Sequence, residues 1–181
     1  MAVIISHENK YVYIHPPKTG GTSIQVFFQK ARRRGRILPE YKLLSADIMG
    51  NWNAKPNEKR HLARYGLTIC KDIPAHPTAK QLKKIFKEKK WDWDEYHKIS
   101  TIRNPFDLYV SRYFYGLEER NAEDLKWVRT SRQANDFNDF ILDRLSKKNR
   151  QCFTNFYSSK SFLTEYDEST GKYEIIVDHI I

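Results

Sequence analysis

The alternation of apolar and polar residues near the start of the chain predicts a strand, a glycine turn and a helix. A short apolar run at Val3–Ile5 and a turn at Ser6–Lys10 precede the strand. Tyr11–His15 is β-branched and aromatic, which is typical of a strand, and the two prolines that follow end it because proline cannot donate to a ladder. Beyond a glycine pair, apolar residues recur at the spacing of one helix face at Ile24, Phe27, Phe28 and Ala31. Gly35 is placed to end that helix.

The middle of the chain is predicted to hold loops and then a well-marked helix. Residues 36–75 are mostly polar and irregular, so we expect long loops there, with room for one short helix. Thr78 can cap a helix over 78–90, because Gln81 stands at the capping-box position. The apolar side of this helix consists of Leu82, Ile85 and Phe86.

A strand and two more helices are predicted after that. The strand is Lys98–Arg103, after which Asn104 can cap a helix and Pro105 suits its first position. The inward side of this helix is predicted to be Phe106, Tyr109, Val110 and Tyr113. Another helix fits Asp136–Lys148, with Phe137, Phe140, Ile141 and Leu145 inward.

The order of these elements indicates the fold class. The chain closes on Tyr173–Ile181, predicted as one strand after a turn at Asp167–Gly171. Strands that alternate with helices indicate an α/β fold, a mainly parallel sheet flanked by helices, in a single domain over residues 1–181. Ligands gather at the carboxyl ends of such strands. The turn at 16–23 and the segment 103–111 would share that rim if their strands are neighbours.

The composition favours an anionic partner and a reducing compartment. The formal net charge of +10 favours nucleotides, nucleic acid, acidic glycans or an anionic membrane, or else reflects a solvated basic surface. Cys70 and Cys152 are far apart and make neither a disulfide framework nor a zinc pattern. The sequence has no apolar run near the roughly 20 residues that span a bilayer and no signal-peptide layout. We therefore expect a cytoplasmic protein without a membrane partner.

The first candidate for chemistry is His15–Ser23 (HPPKTGGTS), which follows the predicted strand and leads into the first helix. Its two glycines allow a tight turn that brings N–H groups close to an anion, and the helix start adds its N–H groups and dipole. Thr22 and Ser23 can add hydroxyl donors, and Lys18 a positive charge. The pattern predicts a phosphate or sulfate cradle. It is not a Walker A loop, because Lys18 precedes both glycines.

The second candidate is the pair Arg103 and Ser111. Arginine suits bidentate contact with phosphate, whereas a serine within a helix is often merely tolerated. From spacing alone, Arg103 is equally well explained as an ion-pair partner of Asp107.

Two runs carry a family resemblance. Ile5–Ile24 (ISHENKYVYIHPPKTGGTSI) resembles the 5′-phosphosulfate loop of sulfotransferases that use 3′-phosphoadenosine-5′-phosphosulfate (PAPS), and Ile99–Tyr115 (ISTIRNPFDLYVSRYFY) resembles their 3′-phosphate motif. The most similar branch is the carbohydrate and heparan type, including small bacterial and viral members. The resemblance extends through Ala75–Phe86 and, more faintly, into the C-terminal strand. It implies a P-loop, nucleotide-kinase-like sulfotransferase fold.

The resemblance also implies roles. The 5′-phosphosulfate would be held by Lys18, Thr19, Gly20, Gly21, Thr22 and Ser23. The 3′-phosphate would be held by Arg103 and Ser111. The sulfuryl group would pass in line to a hydroxyl or amine of an acceptor, expected to be a glycan or a small alcohol, and would leave 3′-phosphoadenosine-5′-phosphate (PAP). Lys18 would stabilise the leaving phosphate, so no metal is required.

The acceptor also needs a base, which is a Glu or His in this family. Ala75–Lys80 (AHPTAK) resembles the family segment that carries a histidine just before a helix, which makes His76 the candidate. Histidine titrates near neutral pH, which suits the role. The alternative is a surface histidine that helps to start a helix. His61 is a weaker candidate, Asp72 stays open, and His15 is expected to be structural.

The sequence departs from the family pattern in two places, and it also allows other functions. Family members usually continue beyond the strand at 173–181, and Lys160 is only a weak match for a third 3′-phosphate contact. A P-loop-like kinase or NTPase would need a lysine behind the glycines and a magnesium-binding carboxylate. A nucleic-acid binder would use the basic runs Arg32–Arg36 and Lys83–Lys90, but no reader motif accompanies them, so we expect no nucleic-acid partner. A PAPS-binding chain without catalysis is a further alternative.

Overall fold

The computed structural model describes residues 3–20, 23–24, 32–33, 36–37, 48–51, 68–118, 131–145 and 162–181. The chain divides into two compact units, Met1–Ile102 with Phe162–Ile181, and Arg103–Ser161. The strands are β1 (Ile4–Ser6), β2 (Tyr11–Ile14), β3 (Arg32–Arg33), β4 (Arg36–Ile37), β5 (Ile48–Asn51), β6 (Thr68–Pro74), β7 (His97–Ser100), β8 (Thr164–Asp167), β9 (Lys172–Ile175) and β10 (His179–Ile180). The helices are α1 (Ala79–Glu88), α2 (Pro105–Glu118) and α3 (Phe137–Leu145).

The first unit is built on a six-stranded sheet in the order β10-β7-β2-β1-β5-β6. β7 runs parallel to both β2 and β10, and β5 runs parallel to β6. β1 is antiparallel to its neighbours β2 and β5. It forms a hairpin with β2, because the turn after Ser6 is too short for a crossover. In that turn the Asn9 N–H donates to Ser6 Oγ at 3.2 Å. The prediction of an α/β fold with a mainly parallel sheet is confirmed, with β1 as the exception.

The centre of this sheet is fully buried. Every residue of β1 and β2 is buried, as expected for strands covered on both faces. Helix α1 belongs to the same unit and buries Leu82 and Phe86. The Phe86 ring packs edge-on against the rings of Trp91, Trp93 and Tyr96, with centroids 5.0–5.3 Å apart. Such edge-to-face pairs add to the stabilisation from burial alone.

The start of α1 confirms its sequence signal. Thr78 Oγ1 accepts from the Gln81 N–H at 3.2 Å, and Gln81 Oε1 accepts from the Thr78 N–H at 2.8 Å. This reciprocal capping box satisfies two donors that a helix start leaves unpaired. The helix ends where Lys90 adopts a positive φ of 58° and the Trp91 N–H donates to Phe86 O. In the described ranges, no helix is long and apolar enough to cross a membrane.

The second unit contains α2 and α3. Asn104 caps α2 as predicted, since its Oδ1 accepts from the Phe106 N–H at 2.9 Å. Tyr113 is buried and packs against the rings of Phe137 and Phe140. The predicted inward face is wrong in part, because Phe106 is 80% exposed and Val110 is 40% exposed. These two side chains line an open groove of 460 Å³ between α2 and α3.

Three further sequence predictions are corrected. Residues 36–75 contain β5 and β6, which were expected to be loops. The helix expected to run up to Gly35 ends earlier, because Arg32–Arg33 is a strand paired with β4. Of that helix only Ser23 and Ile24 are described, and Phe27, Phe28, Ala31 and Gly35 lie outside the described residues.

The third correction concerns the segment Tyr173–Ile181, which is not one strand. β9 pairs with β8 in a separate hairpin across the predicted turn, where Gly171 has a positive φ of 67°. β10 instead joins the main sheet beside β7. Between them, Asp178 Oδ2 accepts from the Lys98 N–H at 2.7 Å and lies 3.1 Å from Lys98 Nζ. This anchor to β7 separates the two strands.

Candidate functional site

The candidate site begins at the carboxyl ends of β2 and β7. The two strands are parallel neighbours, with Ile14 opposite Ser100, so their carboxyl ends lie at the same edge of the sheet. Ser100 Oγ donates to the Ile14 carbonyl at 2.9 Å in a buried position. The ends of β2 and β7 are therefore joined by a side-chain hydrogen bond as well as by the main-chain hydrogen bonds of the sheet. This fixes the position at which the loop after β2 begins.

A directed chain of hydroxyl groups holds the loop that follows β2. Thr19 Oγ1 donates to the Pro16 carbonyl at 2.7 Å, and Thr101 Oγ1 donates to Thr19 Oγ1 at 3.0 Å. Each hydroxyl has one hydrogen, so the Tyr13 hydroxyl, 2.8 Å from Thr101 Oγ1, is the donor to Thr101. Burial raises the pKa of Tyr13, which keeps that proton in place. The Thr19 hydroxyl hydrogen is used within the protein, and its main-chain N–H is the donor that it could offer an anion.

The loop backbone is unusual at two positions. Lys18 has a φ of +67° and Gly20 has a φ of +89°. Lysine in this region carries a penalty of roughly 1–2 kcal/mol that glycine avoids, and such strain concentrates at functional sites. A Cβ on Gly20 would meet no atom within 4 Å, so the dihedral angle, and not space, favours glycine there.

The next described backbone after Gly20 is helical. Ser23 and Ile24 are helical, and the Ile24 N–H donates to the Gly20 carbonyl at 3.2 Å. Ser23 is exposed. Gly21 and Thr22, the other two predicted contacts of this loop, lie outside the described residues. The strand, turn and helix start therefore follow one another as the sequence predicts, with the lysine in the turn.

Two histidines meet beside this loop. His15 directly follows β2 and is buried, and its ring centroid is 5.1 Å from that of His76. His76 Nδ1 lies 3.0 Å from the His15 carbonyl oxygen and 3.2 Å from His15 Nδ1. Burial, with the neighbouring imidazole second, lowers the pKa of His15 to about 3. Burial also lowers the pKa of His76, although that residue keeps exposed surface. Both rings are neutral at pH 7.

A glycine in β5 allows His76 to reach this position. The pairing of β5 with β6 shifts after Gly50, so that Gly50 faces Cys70 while Asn51 faces Pro74. A Cβ at Gly50 would clash with the Pro74 carbonyl oxygen and lie 2.7 Å from Val3 Cγ1. The absence of that Cβ lets the chain at the end of β6 approach Val3, the residue before β1, whose N–H donates to the Ala75 carbonyl at 2.9 Å. His76 is the next residue.

The second predicted pair belongs to the other unit. Arg103 is exposed and directly precedes the Asn104 cap of α2, and Ser111 is half-buried within α2. Of the alternative bases, Asp72 forms an exposed ion pair with Lys89, with 3.5 Å between Oδ2 and Nζ. His61 and Lys160 lie outside the described residues.

Several residues of the site carried no strong sequence signal. No sequence pattern marks Tyr13, Thr101 or Gly50 as part of a site, and the sequence predicts only a structural role for His15. Thr101 could have been found from its place at the end of a strand, two residues before Arg103. Within the described ranges, no group of three or more His, Cys, Asp or Glu side chains is arranged to hold a metal ion. Neither a family model nor a curated protein nor a solved structure matches this chain.

Proposed function

We propose that this protein is a sulfotransferase that transfers the sulfuryl group of PAPS to a hydroxyl or amine of an acceptor, with a carbohydrate as the expected acceptor. The observation that supports this most is the loop His15–Gly20, which carries a lysine in the left-handed conformation at the end of a buried strand. Its sequence resembles a 5′-phosphosulfate loop, and a neutral histidine lies beside its first residue. We extend the proposal to a nucleotide-kinase-like sulfotransferase fold, with which the parallel neighbours β2 and β7 are compatible.

The donor side of the reaction needs positive charge where the leaving group becomes negative. In the transfer, the bond from sulfur to the bridging phosphate oxygen breaks and a bond from sulfur to the acceptor oxygen forms. PAP leaves with the electron pair, so negative charge grows on its 5′-phosphate. The Lys18 ammonium and the loop N–H groups would stabilise that charge. Because Thr101 and Thr19 already fix the loop, little reorganisation is needed, which is the condition under which such donors lower a barrier most.

The acceptor side needs a group that takes one proton. His76 suits this role because burial lowers its pKa and leaves the imidazole neutral at pH 7. A neutral imidazole can accept the proton of the attacking hydroxyl as the new bond to sulfur forms. The lowered pKa makes it a weaker base than free imidazole but keeps it ready at neutral pH.

The 3′-phosphate is a separate part of the proposal. It rests on the match of Arg103 and Ser111 to the family motif, and on the suitability of an exposed arginine for bidentate phosphate contact. Variants of Arg103 therefore test nucleotide selectivity, whereas variants of Lys18 test the loop.

The deciding experiment is a calorimetric titration with PAP, with ATP and AMP as controls and no metal added. We expect tight binding of PAP that depends on its 3′-phosphate. Lys18→Ala and Arg103→Ala should each weaken it by roughly 10- to 100-fold, because a hydrogen bond to a charged group contributes about 1.5–3 kcal/mol. Lys90→Ala, at an exposed lysine that also has a positive φ, is the matched control and should bind normally. No binding, or no preference for PAP over ATP, would overturn the proposal.

A binding result would then lead to turnover. Candidate glycans and small alcohols would be assayed for sulfuryl transfer from PAPS with the wild type and with His76→Ala. We expect His76→Ala to bind PAP normally and to lose transfer by roughly 10²- to 10⁴-fold, the usual contribution of a positioned base.

A further inference from the structure

We propose that His15 is a positioning residue that fixes the tautomer of His76. Its main-chain carbonyl and its Nδ1 both accept from the His76 Nδ1–H, so that Nε2 of His76 is the atom that receives the acceptor's proton. The part about the proton rests on the sulfotransferase function proposed above. The part about the tautomer rests on geometry alone.

The tautomer follows from the two His15 atoms that lie near His76 Nδ1. A carbonyl oxygen can only accept, so His76 Nδ1, 3.0 Å from the His15 carbonyl, must carry the hydrogen. His15 Nδ1 lies 3.2 Å from the same nitrogen. A hydrogen on it too would set two N–H groups against each other. His15 Nδ1 is therefore a second acceptor, and the proton of the neutral His15 ring is on Nε2.

This arrangement has an energetic cost at His15. His15 is 4% exposed, and its Nε2 is buried without a hydrogen-bond partner among the described residues. A buried N–H without an acceptor is destabilising, and an aliphatic residue would fill the same space without that penalty. The presence of an imidazole at this position is explained if His15 Nδ1 accepts a hydrogen bond from His76. An unsatisfied buried polar group in a native structure calls for such an explanation.

The consequence for His76 is that its two nitrogens have different tasks. Nδ1–H is held by His15, which prevents the ring from turning over and exchanging its nitrogens. Nε2 keeps its lone pair, as a general base requires. The orienting partner is itself a histidine with its own main-chain carbonyl. Half of the support therefore survives any substitution of the His15 side chain.

The first test reads the tautomer directly and does not depend on activity. Long-range ¹H–¹⁵N spectra of the ¹⁵N-labelled full chain at neutral pH distinguish a protonated Nδ1 from a protonated Nε2, with His76→Gln to assign the signals. We expect His76 to be protonated on Nδ1 and bare on Nε2, and His15 to show the opposite pattern. A His76 ring protonated on Nε2 would overturn the proposal, whatever the protein catalyses.

The second test separates positioning from folding by a matched pair of variants. His15→Phe keeps an aromatic ring without an acceptor, and His15→Asn puts an amide oxygen near the position of Nδ1. We expect His15→Phe to lower kcat about tenfold, within the roughly 10²- to 10⁴-fold that a positioned base contributes, with PAP affinity and acceptor KM unchanged. His15→Asn should restore most of that loss.

An exposed histidine elsewhere in the sheet provides the control for the kcat measurement. His97→Phe, at an exposed histidine of β7, should leave kcat unchanged. A wild-type kcat in His15→Phe, or an Asn variant no better than Phe, would overturn the proposal. If the wild type transfers no sulfuryl group to any acceptor, the proposed function fails, while the spectra still decide the tautomer.

Discussion

Replacing Lys18 by glycine should stabilise the fold and, under the proposed function, weaken the binding of PAP. Lys18 has a φ of +67°, which carries a penalty of roughly 1–2 kcal/mol for a residue with a Cβ. Glycine avoids that penalty but loses roughly 0.5–1 kcal/mol through the greater freedom of the unfolded chain. The free energy of unfolding should therefore rise by about 0.5–1 kcal/mol, which raises Tm by roughly 1–4 °C for a chain of this size.

The assay combines thermal unfolding with calorimetric titration of PAP on three variants. Lys18→Gly should gain stability and lose roughly 10- to 100-fold in PAP affinity. Lys18→Ala should lose affinity without the gain, because alanine keeps the Cβ that disfavours this backbone region. Lys90→Gly, at a φ of 58° after α1, should gain stability and bind PAP normally.

Two results would refute this reasoning. If Lys18→Gly is no more stable than Lys18→Ala, the loop backbone is not strained at this residue. If Lys18→Gly still binds PAP as the wild type does, the ammonium group is not at the anion. In the expected case the chain keeps a lysine where glycine is the more stable choice, which is a trade of stability for function.

Gly50→Ala should lower the free energy of unfolding by about 1–3 kcal/mol, because its Cβ would overpack against the Pro74 carbonyl; an unchanged denaturant midpoint would contradict that close approach. Thr101→Val should lower it by about 1–3 kcal/mol, because the Tyr13 hydroxyl loses its acceptor, and Thr101→Ser should restore most of the loss in the same titration. Stability should also fall as pH drops from 6.5 towards 3. Burial holds the pKa of His15 at about 3, below its ordinary 6.5, so the unfolded chain binds the proton first. Thermal melts of His15→Phe should show a smaller drop over that range, and an identical drop would argue against His15 as the cause.

Local signals in the sequence predicted the parts of the fold that depend on near neighbours. The Thr78–Gln81 capping box, the Asn104 cap and the end of β2 before its prolines each involve residues a few positions apart, and each is confirmed. The sequence does not show by itself that β2 and β7 are neighbours. In the structure they are, and a side chain at the end of β7 bonds to the end of β2.

The features that the sequence did not predict depend on contacts between residues far apart in the chain. The place of His76 depends on a missing Cβ at Gly50 and on a hydrogen bond from Val3, and no local pattern links these residues. The apolar run Tyr173–Ile181 is typical of a single strand, but the Asp178 carboxylate bonds to β7 and divides it. Phe106 and Val110 have the spacing of a buried face, yet the partner helix α3 leaves them lining an open groove.

The central hairpin has a consequence for the order in which the protein folds. Within the six-stranded sheet, β1 and β2 pair through a short turn, whereas β5 and β7 must each be brought to that hairpin from far along the chain. Closing long loops slows folding, so we expect the hairpin to form early and the flanking strands to join it later. The Thr101–Thr19 hydrogen bond spans 82 residues. The loop after β2 is therefore completed only when β7 arrives, and, if it binds the nucleotide as proposed, a newly made chain should acquire that affinity near the end of folding.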